Sequence, residues 1–342
     1  MATTTDIHLF TCQPGFEELL SGELNHCAFQ TTAIGRGWIA AEGPATDHLC
    51  FAHLCLHSAT VIEAASINTL AQQLVDLFME RIRGIALPEG WPAVFRFADG
   101  VTGLGQRMKG VEKEFRARLR KRMARLERTA GSELPRGGGE AMGLFVFLVS
   151  FDRLYASTHA WSGGQCRMAD DPAAPSRSYL KTEEAFAAMG REPVAGESVI
   201  DLGAAPGGWS YSAAKRGATV LAIDNGPMKG GAKDHPLIEH RRDDAFKFMP
   251  APGETYEWLL CDLVEEPHHV IRLIEQWLKN GHCRHFVVNL KFGRANALKL
   301  LDEVLDPHGR IQPYCTALRV RHLFHDRDEF TLMGKTSAQP RI

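Results

Sequence analysis

Apolar and polar residues alternate differently in the two halves of the chain. Up to about residue 160, short strand-like runs are mixed with helix-spaced ones. The segment "HLFTCQPGFEELLSGEL" predicts a strand that turns at Pro14–Gly15 into an amphipathic helix, and "AVFRFAD", residues 109–128, "LFVFLVS" and "RLYASTHA" predict a strand–helix–strand–strand set. This is an α+β pattern, read as two small units with a joint near residues 60–90. Beyond it, strands are expected at 198–203, 219–224, 238–242, 256–262, 285–291, 311–320 and 328–334, with helical stretches between most of them. Such a rhythm implies an α/β doubly wound, mostly parallel sheet. The last two strands have no obvious crossover helix between them and are expected to form an antiparallel edge pair.

Two loops punctuate this pattern. "GSELPRGGGE" (131–140) separates a basic helix from a strand, and the longer "SGGQCRMADDPAAPSRS" (162–178) marks the main boundary, giving domains 1–165 and 166–342. A chain of 342 residues has length for two or three such units. The net charge of −2 excludes wholesale coating of nucleic acid but leaves room for a local basic patch. One is present: residues 109–128 hold nine Lys/Arg against three Glu. At helical spacing Lys109, Lys113, Arg116 and Arg120 share a face, as do Arg118, Arg122 and Arg125, while Val111, Phe115, Leu119, Met123 and Leu126 turn inward. Core on one side and phosphate contacts on the other are compatible.

No basic segment followed by an apolar one opens "MATTTDIHLF", and no run approaches the roughly 18 apolar residues of a membrane span. A soluble cytoplasmic protein with no membrane partner is expected. The eight cysteines contain no C-x-x-C pair, so reduced core thiols are the expectation. Cys50, His53 and His57 imitate a metal site, falling at i, i+3 and i+7 if "CFAHLCLH" is a helix. A structural zinc needs a fourth ligand, and buried Cys and His on an amphipathic face explain the group as well, so no metal is assigned.

The loop "VIDLGAAPGGWS" (199–210) carries the first chemical signal. It fits a triphosphate-binding loop until the lysine position, which is Trp209, and a dinucleotide loop until the second glycine, which is Ala205. S-adenosylmethionine instead needs small residues after the first strand and an acid at the end of the second for its ribose hydroxyls. Asp224 lies 21 residues beyond Gly203, where that acid belongs. After the fourth strand, "LLCDLVEEP" lacks the prolines that accompany methylation of exocyclic base nitrogens. Lys181, Asp262, Lys291 and Glu329 fall on the helix before strand one or at the ends of strands four, five and seven. These positions converge at the carboxyl edge of a doubly wound sheet.

At this point the chain resembles a known family. "SRSYLKTEEAF", "DLGAAPGGW", "IDNGPM", "CDLVEEP", "NLK" and "HDRDE" occur in the order and spacing of the ribosomal large-subunit RNA methyltransferase M family, within the wider FtsJ-like 2′-O-ribose methyltransferases. The likeness covers nearly all of residues 176–335. The N-terminal half is similar more loosely, through "QPGFEELLSGEL" and the 143–160 strands, to that family's RNA-binding portion with its ferredoxin-like and THUMP modules.

The resemblance implies a Rossmann-like class I methyltransferase fold and S-adenosylmethionine-dependent methylation, without a metal, of the 2′-hydroxyl of one cytidine. Its substrate would be 23S rRNA or a partly assembled large-subunit precursor, with no obligate protein partner. It maps a catalytic tetrad onto Lys181, Asp262, Lys291 and Glu329, with Lys291 as proton acceptor. Donor contacts map onto Ser178, Ala205, Pro206, Gly207, Gly208, Asp224, Asp244 and Asp262. Ala205 departs from the family, which usually has cysteine there; backbone contact makes this tolerable. Two rival readings remain at this point. One is a non-catalytic RNA-binding or ribosome-assembly protein that keeps the fold, and the other is a methyltransferase acting on another RNA, a small molecule or a protein.

Overall fold

Period-2 runs and turn residues in the first half build one continuous sheet. In the computed structural model, which describes residues 6–337 apart from 45, 47, 48, 135 and 136, the chain divides into two compact units, 1–164 and 165–342. Pro135 and Arg136 of the 131–140 loop, and residues 1–5 of the N-terminal segment, therefore lie outside the described residues. The first unit runs β1 (Ile7–Thr11), α1 (Glu17–His26), β2 (Gln30–Gly35), β3 (Trp38–Glu42), β4 (Leu54–His57), β5 (Thr60–Glu63), α2 (Ile67–Arg81), β6 (Ala93–Phe97), α3 (Leu104–Arg128), β7 (Gly139–Leu148) and β8 (Arg153–Ser162). Strand order is β2-β3-β1-β4-β8-β7-β6, with β5 also on β8. Among the described strands of this unit only β6 and β7 pair in parallel. Strand β4 pairs both β1 and β8, so the sheet continues across it.

The core of this unit lies between the sheet and the pair α2–α3. Leu70, Leu74 and Phe78 of α2 and Val111, Phe115 and Leu119 of α3 are all buried, with the Phe78 and Phe115 rings 6.0 Å apart. Helix α2 announces itself in sequence through the Ser66 cap, whose hydroxyl accepts from Thr69 N at 3.0 Å, and through its apolar spacing. Two corrections concern α3. Helical spacing turns Met123 inward, but its backbone leaves the helical region (φ −147°, ψ 72°) and the side chain is exposed. Part of the basic face binds α2 rather than facing outward: Arg118 donates to Gln72 at 2.9 Å and Arg122 to Asp76 at 2.6 Å.

A third correction concerns residues 50–57. They form a bend and then β4, not a helix, and His53 N donates to Thr11 O at 2.7 Å. Cys50, His53 and His57 therefore share no helix face.

The second unit runs α4 (Tyr179–Met189), β9 (Ser198–Leu202), α5 (Gly208–Ala214), β10 (Thr219–Ile223), β11 (Ile238–Arg241), β12 (Tyr256–Cys261), α6 (Pro267–Lys279), β13 (Cys283–Lys291), α7 (Ala297–Leu305), β14 (Cys315–Arg321) and β15 (Glu329–Thr336). All seven expected strands form, in the order β11-β10-β9-β12-β13-β15-β14. The first five pair in parallel, and the last two are antiparallel as expected. The pair does not simply append to the edge: β15 inserts between β13 and β14. Ala185 and Phe186 of α4 and Trp209 and Ala213 of α5 bury one face of this sheet against Val199, Val220, Trp258 and Val287. Among the described residues no helix is long and apolar enough to cross a membrane.

Candidate active site

Small residues let the chain leave β9 in a tight path. The Ala205–Pro206 peptide is cis, and Gly207 adopts φ +104°, a left-handed conformation that favours glycine. A Cβ on Gly208 would stand 2.8 Å from Ser178 Oγ, so glycine is also what allows α5 to begin against the start of α4. Trp209 Nε1 donates to Ser178 O at 3.0 Å, and the Ser178 hydroxyl lies 2.8 Å from that of Ser176.

Asp224 follows β10 and closes onto the same loop. Its Oδ2 accepts from Ala205 N at 3.0 Å and its Oδ1 from Gly226 N at 2.7 Å. The structure thus joins the loop and the acid that the sequence paired by spacing alone. Asp244 stands beyond β11, and its carboxylate binds Phe246 N at 3.0 Å and Lys247 Nζ at 3.2 Å. These two donors hold it below the usual carboxylate range.

Lys181, Asp262, Lys291 and Glu329 meet at one place. Lys181 lies in the first turn of α4, Asp262 directly after β12, and Lys291 at the end of β13. Glu329 begins β15. Because that strand is antiparallel to β13, its first residue pairs with Lys291 at the carboxyl edge of the parallel strands. Lys291 Nζ donates to Asp262 Oδ1 at 2.5 Å, and Lys181 Nζ lies 2.5 Å from Glu329 Oε1 and 3.9 Å from the same Asp262 oxygen. One carboxylate oxygen is therefore shared by two lysines. The four side chains are only 7–22% exposed, so their attractions are screened less than at a free surface. Burial alone would lower Lys181, but the charges of Asp262 and Glu329 prevail and raise it above the ordinary lysine value. Lys181 is held as a cation.

Three buried acids that the sequence reading passed over support this edge. Asp201 in β9 accepts from Ser210 Oγ at 2.6 Å, and burial pushes it up to about 7. Burial likewise raises Glu184 to about 8, although Phe324 N and His325 N donate to it at 2.9 and 3.1 Å. Asp326, raised by burial to about 7, accepts from Leu323 N at 2.9 Å and Thr331 Oγ1 at 3.0 Å. Glu184 and Asp326 together fix the return from β14 to β15 that delivers Glu329. Their signal was slight: Glu184 is one of two adjacent acids in "LKTEEAF", and Asp326 is one of three acids in "HDRDE".

Comparison with known proteins places this geometry. The FtsJ-like methyltransferase family matches residues 174–299, which include the loop, Lys181, Asp224, Asp262 and Lys291. The chain is 36% identical over 249 residues to "Ribosomal RNA large subunit methyltransferase M" of Laribacter hongkongensis, covering 68% of this chain and 67% of that one. It is 31% identical over 356 residues to the protein of the same name from Thauera aminoaromatica, covering 94% and 93%. The alignment with the Halorhodospira halophila relative, 39% identical over 181 residues, spans about half of each chain. A relative more than 30% identical along nearly its whole length and an FtsJ-like region holding the candidate site point the same way: this chain belongs to the ribosomal RNA large subunit methyltransferase M family.

Proposed function

We propose that the protein transfers the methyl group of S-adenosylmethionine to the 2′-hydroxyl of a cytidine in 23S ribosomal RNA. The observation that carries this reading is the meeting of Lys181, Asp262, Lys291 and Glu329 beside the loop tied to Asp224. The relatives named as rRNA methyltransferases supply the substrate class.

The residues present fit the donor. The 203–208 loop has no side chain larger than proline, and Asp224 presents a half-exposed carboxylate beside it. Ser178, Ala205 to Gly208, Asp224, Asp244 and Asp262 would hold the donor, which supplies an already activated methyl group and needs no metal. The chain's task is to orient a weak nucleophile and remove its proton as the C–O bond forms and the C–S bond breaks. Lys181, held charged by two carboxylates, cannot take that proton. Lys291, the other amine on Asp262 Oδ1, is the proposed acceptor. Asp262 orients both amines, and Glu329 fixes Lys181.

Helix α3 of the N-terminal unit is the proposed RNA contact. Lys109, Lys113, Lys121, Arg125 and Arg128 are exposed and in no ion pair among the described residues. Mapping 2′-O-methylation in rRNA from cells with and without this protein tests the reading. One cytidine of 23S rRNA is expected to lose its methyl group, and an unchanged map refutes the assignment. Labelled methyl transfer to purified rRNA separates an enzyme from a binding protein.

A further inference from the structure

The sequence drew attention to cysteine and histidine around residue 50, and the fold regroups them. On β1 and β4, Leu9, Leu54 and Leu56 belong to the core shared with α2 and α3. Strand periodicity therefore turns His8, Cys55 and His57 to the opposite face. The antiparallel register, with Leu9 opposite Leu56, brings His8 beside His57. Nδ1 of His8 lies 3.3 Å from Nδ1 of His57, Cys55 Sγ lies 3.6 Å from that same nitrogen, and all three donor atoms fall within 4.8 Å of one another.

These spacings have a chemical meaning. A tetrahedral zinc ion with Zn–N of about 2.0–2.1 Å and Zn–S of about 2.3 Å has N···N edges of about 3.3 Å and N···S edges of about 3.6 Å. The second nitrogen of His8 is also committed: Nε2 is 3.2 Å from Gly43 O, and donating there leaves Nδ1 with its lone pair toward the cluster. His8 and Cys55 are buried, and the Phe29 ring packs edge-on against His8 with centroids 5.7 Å apart.

We infer that His8 Nδ1, Cys55 Sγ and His57 Nδ1 form a binding site for a thiophilic divalent cation of the zinc type, with the fourth position taken by solvent. On binding, the metal–sulfur bond forms as the Cys55 S–H bond breaks, the proton passes to solvent, and both imidazoles enter neutral. With three protein ligands and an open fourth position, the site differs from a closed structural zinc, and the ion would take no part in methyl transfer. This inference stands apart from the function proposed above.

The full-length reduced chain, stripped with a chelator and titrated with cobalt(II), tests it. One equivalent is expected to bind with the visible bands of tetrahedral cobalt and a thiolate-to-cobalt charge-transfer band, both displaced by zinc. Cys55→Ser should abolish the charge-transfer band, and His8→Gln should lower affinity by at least the roughly 10–100-fold that losing a ligand's supporting partner costs. Cys166→Ser, at an exposed thiol, should change neither. Failure of the folded wild type to take up cobalt, or a charge-transfer band that survives Cys55→Ser, overturns the proposal. In case the Cys55 variant does not fold, zinc-dependent thermal stabilisation of the wild type gives an independent test. A Tm that zinc does not raise, or raises equally in His57→Ala, also overturns it.

Discussion

In the C-terminal sheet β9 to β13 run the same way, whereas in the N-terminal sheet only β6 and β7 do. Parallel strands bring all their carboxyl ends to one edge, so residues as distant in sequence as Lys181, Asp224, Asp262 and Lys291 gather there without special loops. Antiparallel strands send successive ends to opposite edges, so in the N-terminal sheet the described strands do not bring their carboxyl ends together. Its exposed chemistry lies along a helix instead, as the cations of α3. The comparison teaches a division: a parallel edge concentrates groups on one atom, and a charged helix spreads them along its own length.

If the division holds, damage to one unit should leave the other's task intact. The largest effect is expected from Lys291→Ala, which removes the proposed proton acceptor. Single-turnover methyl transfer should fall by about 10²–10⁴-fold, while donor and RNA affinities stay unchanged. Turnover near the wild-type rate would move proton acceptance to solvent and break the tetrad reading. Next comes Asp224→Ala, which deletes a carboxylate bonded to two loop amides. Losing charge-assisted hydrogen bonds of about 1.5–3 kcal/mol should weaken donor binding by roughly 10–150-fold in calorimetric titration, with RNA affinity untouched.

On the other side, reversing Lys109, Lys113, Lys121 and Arg125 should weaken RNA binding and leave donor affinity as it was. The slope of log K against log salt should shrink by about 0.7–0.9 for each phosphate that is no longer neutralised. An unaltered slope would make α3 a solvated face and erase the contrast between the units.

The smallest expected effect sharpens the contrast through pH. Asp201 and Asp326, raised to about 7, and Glu184, raised to about 8, hold their protons more tightly folded than unfolded, where carboxyls titrate near about 4. Their stabilising contribution is full below about pH 4 and is lost as pH rises toward 7–8. Urea midpoints should therefore decline across that window, and Asp201→Asn should flatten part of the decline. A midpoint that climbs with pH would contradict the assignment.

Much of the second unit was legible in sequence because its central strands β9, β12 and β13 are mostly buried and read as apolar runs, and β10, β12 and β13 end at or beside Asp224, Asp262 and Lys291. The convergence of Lys181 with Glu329 was also foreseeable, but not that both lysines would share Asp262 Oδ1. Distances of that kind depend on how α4 packs on the sheet, and no spacing encodes that. The first unit was less legible. β2 (QTTAIG) mixes small and polar residues on a half-exposed strand, and β4 is four residues long, too short to separate a period of 2 from one of 3.6. That ambiguity is why spacing groups Cys50 and His53 with His57, when the strand instead supplies Cys55, and His8 from 49 residues away. Buried acids such as Glu184 and Asp326 escape notice because an acid in a helix or loop ordinarily reads as solvated.

The insertion of β15 between β13 and β14 has a consequence in time as well as in space. A polypeptide is made from its N-terminus, so the loop at 203–208, Asp224, Asp262 and Lys291 all emerge before Glu329. Until that last strand slots into place, Lys181 lacks its nearest carboxylate and the return loop held by Glu184 and Asp326 is open. In a nascent chain the junction of the loop with Asp224 can therefore form before the four-residue cluster is complete.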